Sequence, residues 1–394
     1  MIQNNNINKN AFTMNILYVA TFTISFLILG NLISTPSSIY SSSLNTFTQL
    51  AYGSINSTNT TTNSTITTNA NYTELEQNTK AFLLDMKAKN NPPINSLPPN
   101  EARAALYGLQ SSYPATIPEV SAVEHLTIPV GSNNETIAIQ IVRPVGIDSS
   151  QQPTPVVMYF HGGGWVLGGF DTHERLIKEL ANAANVTVVY VNYTLSPEAK
   201  FPQALEEAYA ATKWVADNGQ SINVNSTKLG VAGDSAGGNM ATAVTMLAKE
   251  RDYPFISLQA LFYPVTDVNF NTTSYEKFQK GYHLTRDAMI WFWNNYLDNQ
   301  TTNIKDPLVS PLQASISQLQ GLPPALVITD ENDVLRDEGE AYAHKLMEAG
   351  VPVASVRYLG TIHDFMMLNA LANTPAVEEA ISQAASIINK VLYS

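Results

Sequence analysis

The chain has 394 residues, 44% of them apolar, and it carries a formal net charge of −12 at neutral pH. The acidic balance excludes a general nucleic-acid binder and disfavours adhesion to anionic lipid surfaces, because both need clustered lysine and arginine. The chain has no cysteine, which excludes cysteine catalysis, thiolate metal sites and disulfide bonds.

A nearly charge-free stretch, residues 11–34, is long enough to span a bilayer as a helix. Lys9 precedes it and no lysine or arginine follows before Lys80, an asymmetry that places the N-terminus in the cytoplasm and the rest outside. A cleaved signal peptide is the alternative, although the run is long and lacks a clean cleavage site. We therefore expect an extracytoplasmic protein that residues 1–34 anchor to the membrane or that is secreted after cleavage.

Residues 35–72 are rich in serine, threonine and asparagine. Such a segment buries too little apolar surface to offset the entropy of ordering it, so we predict a disordered stalk. Four acceptor sequons for N-glycosylation, at Asn56, Asn59, Asn63 and Asn71, fit an exported chain. A globular domain is predicted from residue 73 to residue 394.

The globular part begins with two stretches of helical apolar spacing, residues 73–90 and 98–109. Eight strand-like runs follow, at 125–130, 136–145, 155–161, 186–193, 228–233, 258–265, 324–330 and 353–360. Helical stretches lie between or after them, at 171–184, 201–219, 235–252, 337–350 and 375–392. This alternation predicts an α/β fold whose mostly parallel, eight-stranded sheet has helices on both faces. Ligands bind at the carboxyl ends of the strands in such a sheet.

The stretch "GDSAG", Gly233 to Gly237, follows an apolar run and opens a helical one. In this setting the Gly-x-Ser-x-Gly pattern holds the hydroxyl of Ser235 on a sharp, exposed strand-to-helix turn, where it can act as a nucleophile. The helix N-terminus would stabilise negative charge that develops nearby. The alternative is a simple helix cap made by Asp234 or Ser235.

The stretch "HGGGW", His161 to Trp165, follows another strand-like run. Its successive glycines expose backbone N–H groups that can form an oxyanion hole. A flexible loop or a phosphate cradle is the alternative, but a cradle would need a lysine or a helix start directly afterwards. Its pairing with "GDSAG" favours the oxyanion hole.

A serine nucleophile needs a base, and a histidine base needs an acid to orient it. Among six histidines, His363 follows the last strand-like run at a carboxyl-end loop, which selects it as the base. The acid is expected in the stretch after residue 329, between the serine and the histidine. The candidates are Asp330, Glu331, Asp333 and Asp337, and spacing alone does not choose among them.

Five motifs in order, "HGGGW", "YTLSPEAKFPQALEEAY", "GDSAGGNM", "ENDVLRDEGEAYA" and "GTIHDF", resemble the hormone-sensitive-lipase-like branch of the α/β-hydrolases. The similarity is greatest to bacterial and archaeal acetylhydrolases or esterases. The resemblance implies an α/β-hydrolase fold with Ser235 as nucleophile, His363 as base and Asp333 as acid. It also implies that the N–H groups of Gly163, Gly164 and Ala236 form the oxyanion hole, with His161 bracing the loop.

Two positions depart from the family pattern. The usual Tyr-Arg-Leu-Ala-Pro-Glu has Thr194 in place of its arginine, so we expect an arginine-centred brace to be missing. The usual His-Gly-Phe has Asp364 after the base. We expect this carboxylate to point away from His363, although it could change the pKa of the histidine.

The family also implies a cap over the site, formed here by about 73–113 and 265–303. The second range contains a helix crowded with aromatic side chains, which indicates a modest apolar acyl pocket. Packing of these rings against the sheet is the alternative. The predicted pocket residues are Trp165, Trp291, Phe365 and Met366.

These observations predict a serine carboxylic-ester hydrolase for small-molecule, short-chain acyl esters, with no cofactor and no metal ion. An amide deacetylase or an acyltransferase would use the same residues. A catalytically silent hydrolase fold that serves as a surface binding protein is the alternative from another class. A metal-dependent hydrolase is disfavoured because no His-Glu-x-x-His pattern is present. The sequence does not indicate an oligomeric state, and it predicts membrane contact only through the N-terminal segment.

Overall fold

The computed structural model describes residues 72–130, 135–147, 152–298 and 300–394, all within one compact unit, Thr67–Ser394. The anchor predicted at 11–34 lies outside the described residues, as does the predicted stalk except for Tyr72. Within the described ranges, no helix is long and apolar enough to cross a membrane. The anchor, the stalk and the extracytoplasmic location therefore stay predictions.

Eight strands form one sheet. They are β1 (Ala122–Pro129), β2 (Thr136–Arg143), β3 (Thr154–Phe160), β4 (Thr187–Asn192), β5 (Val224–Asp234), β6 (Leu258–Phe262), β7 (Ala325–Asn332) and β8 (Val353–Ile362). Their spatial order is β1-β2-β4-β3-β5-β6-β7-β8. β2 pairs antiparallel with β1 and β4, and every other neighbouring pair is parallel. The predicted mostly parallel, eight-stranded sheet is confirmed.

The helices alternate with the strands. They are α1 (Gln77–Lys89), α2 (Pro99–Ser112), α3 (Phe170–Ala184), α4 (Gln203–Asn218), α5 (Ala236–Glu250), α6 (Thr273–Phe278), α7 (Arg286–Tyr296), α8 (Ile316–Leu319), α9 (Arg336–Glu348) and α10 (Pro375–Leu392). Helices α3 and α10 pack together on one face of the sheet, while α4, α5 and α9 pack on the other. The α/β-hydrolase fold is thus present, with helices on both faces.

The burial of the central strands explains why they appear in the sequence as continuous apolar runs. Every residue of β3 is buried, as is every residue of β6. Strands covered by helices on both faces need apolar side chains at consecutive positions rather than at alternate ones. The carboxyl ends of β3, β5, β7 and β8 lie at the same edge of the sheet, and each leads into a loop that carries a predicted site residue.

Both ranges predicted for the cap contain helices, with α1 and α2 in the first and α6 and α7 in the second. The buried side chain of Gln110 ties α2 to the loop after His363. Its Nε2 donates to the carbonyl oxygens of Thr172, at 2.7 Å, and Met367, at 2.9 Å. Its Oε1 accepts from the backbone N–H of Asn369 at 3.0 Å. Helix α2 therefore has a fixed position relative to the predicted base.

An arginine brace is present, contrary to expectation, but it comes from α2. Arg103 Nε donates to the carbonyl oxygen of Val166 at 2.8 Å, and its Nη2 donates to that of Ser196 at 2.9 Å. The same guanidinium binds the two carboxylate oxygens of Glu198 at 2.9 and 2.6 Å, and these hydrogen bonds lower the pKa of Glu198 to about 2. Arg103 thus joins the cap to the segment in which Thr194 replaces the usual arginine.

Replacing Arg103 with alanine is expected to lower the free energy of unfolding by about 1–3 kcal/mol, because two backbone carbonyls lose a charged donor. The matched control is Glu198→Gln, which removes only the exposed ion pair and should cost less than about 1 kcal/mol. Urea denaturation of both variants measures the difference. Equal losses in the two variants would show that the carbonyl contacts contribute nothing.

Candidate active site

Ser235 lies on a sharp turn between β5 and α5. Its φ of 52° and ψ of −119° lie where few residues other than glycine are found, so the turn stores conformational strain. The backbone N–H of Ser235 donates to the carbonyl of Phe262 at 2.9 Å, and its own carbonyl accepts from Val265 at 3.1 Å. Gly237 has no room for a side chain, because a Cβ there would clash with the carbonyl oxygen of Phe160. The hydroxyl is therefore held at the carboxyl edge of the sheet.

The structure brings Ser235, His363 and Asp333 together. His363 Nε2 lies 2.9 Å from Ser235 Oγ, and its Nδ1 lies 2.7 Å from Asp333 Oδ2. The other oxygen of Asp333 accepts from the backbone N–H of Leu335 at 3.0 Å. All three side chains are buried, with 4% or less of their surface exposed. This is the hydrogen-bonded chain that nucleophilic catalysis by a serine needs.

The surroundings of His363 favour its charged form. Burial disfavours a charged ring, but the carboxylates of Asp333 and Asp364 outweigh burial and raise the pKa of His363 to about 9. The charged form of the ring is therefore favoured more than in a free imidazole. The neutral base becomes more abundant as the pH rises.

The other three acidic candidates have different contacts. Glu331 accepts from the N–H of Gly360 at 2.7 Å, and Asp337 pairs with Arg336 in the first turn of α9. Asp330 is fully buried, and neither carboxyl oxygen has a hydrogen-bond partner among the described residues. Burial, reinforced by the charge of Asp333, raises the pKa of Asp330 well above its usual value. Of the four candidates, Asp333 is the one that hydrogen-bonds to the base.

Asp330, Asp333 and His363 each place one possible metal-ligand atom within 4.8 Å of the others. The hydrogen bond between Asp333 and His363 already occupies one atom of each side chain. The raised pKa of Asp330 favours its neutral acid, which is a poor ligand for a cation. These contacts fit an acid–base pair better than a metal centre.

The glycine loop after β3 contains two of the three predicted oxyanion-hole donors, Gly163 and Gly164. Gly163 and Gly164 have φ values of 100° and 62°, which glycine adopts without strain. Ala236 is the first residue of α5, and β3 pairs directly with β5, so the two sets of N–H groups lie at neighbouring strand ends. Among the hydrogen bonds of the described residues, none uses the backbone N–H of these three residues. All three N–H groups therefore lack a protein acceptor among the described residues, as the predicted oxyanion hole requires.

His161 is buried in the loop rather than turned towards Ser235. Its ring stacks on Tyr193, with ring centroids 4.3 Å apart, and its Nδ1 lies 2.7 Å from the carbonyl oxygen of Gly162. Burial, with the nearby His173 as a second cause, lowers the pKa of His161 to about 3. A neutral, stacked ring is suited to bracing the loop, which is the role that the family resemblance implied.

Sequence reasoning missed the part played by Asp234, whose carboxylate is fully buried between β5 and the glycine loop. Its Oδ1 accepts from the hydroxyl of Tyr159 at 2.7 Å and from the N–H of Gly162 at 3.1 Å. Its Oδ2 lies 3.2 Å from Nε2 of His173 on α3, and the other nitrogen of that ring lies 3.2 Å from the carbonyl oxygen of Gly169. Burial opposes a charge on His173, but Asp234 outweighs it and raises the pKa of His173. In the sequence, only the position of Asp234 next to Ser235 indicated that this carboxylate could help to hold the site together.

The four predicted pocket residues have different surroundings. The ring of Trp165 is fully buried and stacks on Tyr296 of α7, with ring centroids 4.2 Å apart. Phe365 and Met366 are also buried, whereas Trp291 on α7 is partly exposed. A pocket role for all four residues stays a prediction.

The expectation that Asp364 points away from the base is wrong. Its Oδ1 lies 3.4 Å from Nε2 of His363, and its Oδ2 lies 3.6 Å from Nε2 of His283. The φ of Asp364 is 67°, a left-handed conformation that brings its side chain beside the preceding ring instead of the opposite side. His283, which precedes α7, was not singled out by the sequence.

Replacing Asp234 with alanine is expected to lower the free energy of unfolding by about 3–5 kcal/mol, because three buried donors lose their common acceptor. Loosening of the glycine loop should lower kcat as well. Tyr159→Phe is the matched control, since it removes one of the three donors and should cost less, about 1.5–3 kcal/mol. Calorimetry and steady-state kinetics on both variants measure the effect. A stability of Asp234→Ala no lower than that of Tyr159→Phe would contradict this role.

Comparisons with known proteins agree with the geometry. A family described as the alpha/beta hydrolase fold matches residues 157–367. A protein named as an alpha/beta hydrolase from Acanthamoeba polyphaga mimivirus is 43% identical over 306 residues, which cover 77% of this chain and 85% of the relative. Ethyl acetate hydrolase of Pseudomonas putida is 32% identical over 289 residues, which cover 73% of this chain and 88% of the relative.

The solved structure of a thermostable esterase from Pseudomonas putida ECU1011 is also similar, with a TM-score of 0.77 and 47% sequence identity. The match covers 81% of this chain and 98% of that one. The resemblance to hormone-sensitive-lipase-like esterases is confirmed by these relatives. The chain belongs to the α/β-hydrolase fold family.

Proposed function

We propose that this protein is a serine carboxylesterase that hydrolyses short-chain acyl esters through an acyl-enzyme on Ser235. The observation that carries the proposal is the hydrogen-bonded chain from Ser235 Oγ through His363 to Asp333, next to three available N–H donors. The names of similar proteins, among them an ethyl acetate hydrolase and several esterases, support the same reaction.

In the first half of the reaction, Ser235 Oγ attacks the ester carbonyl while Nε2 of neutral His363 takes its proton. Asp333 accepts from Nδ1–H, so the lone pair of the neutral ring lies on Nε2 and faces the serine. The N–H groups of Gly163, Gly164 and Ala236 stabilise the oxyanion. His363 then protonates the leaving alcohol, and the acyl group remains on Ser235.

In the second half, His363 takes a proton from water as the water attacks the acyl carbonyl. Collapse of the tetrahedral intermediate breaks the bond to Ser235 Oγ, which regains its proton from His363. The products are a carboxylic acid and free enzyme. No step needs a metal ion or a redox cofactor.

The contact between α7 and the oxyanion loop favours short acyl groups. Phe292 of α7 packs so closely on Gly164 that a Cβ at that position would clash with the phenyl ring. Trp291, next to it, has its ring centroid 5.2 Å from that of Phe292. Bulky rings beside an oxyanion donor limit the room for an acyl chain.

Ser235→Ala is the direct test of the proposed chemistry. Wild-type protein should hydrolyse p-nitrophenyl acetate and butyrate, and the variant should lose about 10³-fold or more in kcat, because nothing else can form the acyl-enzyme. A fluorophosphonate probe should label the wild type and leave Ser235→Ala unlabelled. Near-background rates and no labelling of the wild type would instead support the catalytically silent alternative.

Phe292→Ala should shift the acyl preference towards longer chains. Removing the ring opens space beside Gly164, so the ratio of kcat/KM for p-nitrophenyl octanoate to that for the acetate should rise about tenfold. Phe255→Ala is the matched control, because that ring is 76% exposed in the loop before β6. A ratio unchanged by Phe292→Ala would show that this ring does not limit the acyl chain.

A further inference from the structure

Asp364 lies beside the nitrogen of the base that carries out the proton transfers. Its Oδ1 is 3.4 Å from His363 Nε2, the atom that faces Ser235 Oγ at 2.9 Å. That oxygen is buried and has no hydrogen-bond partner among the described residues. A carboxylate oxygen in this position interacts in opposite ways with the protonated and the neutral ring.

The backbone of Asp364 is held in an unfavourable conformation. Its φ of 67° is left-handed, a region that glycine enters without cost and aspartate enters less readily. An aspartate held there by the surrounding structure is the kind of strain that is concentrated at functional sites. The conformation places the carboxylate next to the preceding ring.

The second carboxylate oxygen is directed at another imidazole. Asp364 Oδ2 lies 3.6 Å from Nε2 of His283, a residue with its own left-handed φ of 72°. The ring of His283 packs on Phe82 of α1, with ring centroids 5.9 Å apart. Asp364 therefore lies between the base and a histidine of the cap segment, one oxygen near each.

We propose that Asp364 is a positioning residue that acts through His363 and sets the pH range of catalysis, an inference that rests on the proposed ester hydrolysis. An ionised Asp364 attracts the Nε2–H of the protonated ring and repels the lone pair of the neutral ring. In the free enzyme it keeps the proton on the base and moves the onset of activity to higher pH. During attack by Ser235 it stabilises the imidazolium that forms.

The electrostatic environment supports this role. Against the opposing effect of burial, Asp333 and then Asp364 are the largest contributions that raise the pKa of His363. Burial also opposes ionisation of Asp364, but His363 and His283 outweigh it and lower the pKa of Asp364. The carboxylate form of Asp364 is thus favoured beside the protonated ring of His363.

Other titratable groups face this pair from the elements packed around it. They are Asp333 and Asp330 at the end of β7, Asp234 at the end of β5, Tyr263 after β6, His173 on α3 and Tyr159 on β3. A substitution at position 364 retains every one of these groups, and its effect on them is itself an effect of the Asp364 charge, which raises the pKa of Asp330, His173, Tyr263 and Tyr159. A shift measured in such a variant therefore reports the removal of the Asp364 charge.

The test is the pH profile of kcat/KM for p-nitrophenyl acetate with wild type, Asp364→Asn and Asp364→Gly. The acidic limb should move to lower pH by about 1 unit or more in both variants, since an opposite charge at this distance has been removed. Below the limb the variants should be about tenfold faster, and on the alkaline plateau they should be slower through kcat rather than KM. The profiles should cross.

A second variant and a matched control allow the test to separate an electrostatic role of Asp364 from a structural one. Glycine adopts the left-handed conformation freely, so Asp364→Gly should fold even if Asp364→Asn does not. Asp287→Asn is the matched control: it removes one negative charge from an exposed position in the first turn of α7 and should leave the limb in place. A uniform loss of activity at every pH, with no shift of the limb, would reduce Asp364 to a structural role and overturn the proposal.

A measurement without substrate separates this inference from the proposed function. In protein labelled with ¹⁵N-histidine, the ring of His363 should titrate at a pH lower by about 1 unit or more in Asp364→Asn than in wild type. If wild type hydrolysed no ester, the proposed function would fail, and this titration would still decide whether Asp364 holds the proton on His363. Identical titrations would overturn the inference even in an active esterase.

Discussion

The buried carboxylate of Asp234 is the interaction on which the rest of the site depends. Its donors come from β3, from the glycine loop and from α3, while Asp234 itself ends β5 directly before the nucleophile. A buried charge is tolerated only when donors surround it, so these elements must meet at one position. That requirement holds the glycine loop, through Gly162, next to the strand end that carries Ser235. The strained turn at Ser235 persists because this surrounding network holds it.

The cap is joined to the same loops through specific contacts. Gln110 bonds the backbone after His363, Arg103 bonds the carbonyl of Val166 just beyond the oxyanion glycines, and Trp165 stacks on Tyr296 of α7. Each of these contacts involves a loop that carries a proposed catalytic group. Helices α2 and α7 of the predicted cap therefore help to position these loops, and a change in either helix would act on the proposed chemistry through backbone geometry.

The sheet, its helices and the order of serine, acid and histidine were predictable because they leave local patterns. Apolar runs mark strands, and the glycines mark the two turns that need them. The choice of Asp333 among four acids depended on the family resemblance, since spacing does not say which carboxylate reaches the base.

The contacts between residues far apart in the chain leave no recognisable pattern in the sequence. Tyr159, Gly162 and His173 lie 75, 72 and 61 residues from Asp234, and Arg103 lies 95 residues from Glu198. The left-handed backbone of Asp364 could not be predicted from the sequence either, because an aspartate does not indicate that conformation as a glycine does.

The base lies between two carboxylates that act differently. Asp333 is fully buried and hydrogen-bonds to Nδ1, so it fixes the tautomer of the neutral ring and the orientation of the ring in both protonation states. Asp364 lies 3.4 Å from Nε2 without a hydrogen bond, with 15% of its side chain exposed, so it acts through charge alone and remains partly solvated. A substrate that covers Asp364 would lower the local dielectric and strengthen the attraction between Asp364 and the imidazolium. The stabilisation would then be greatest in the substrate-covered site, where Ser235 transfers its proton to the ring.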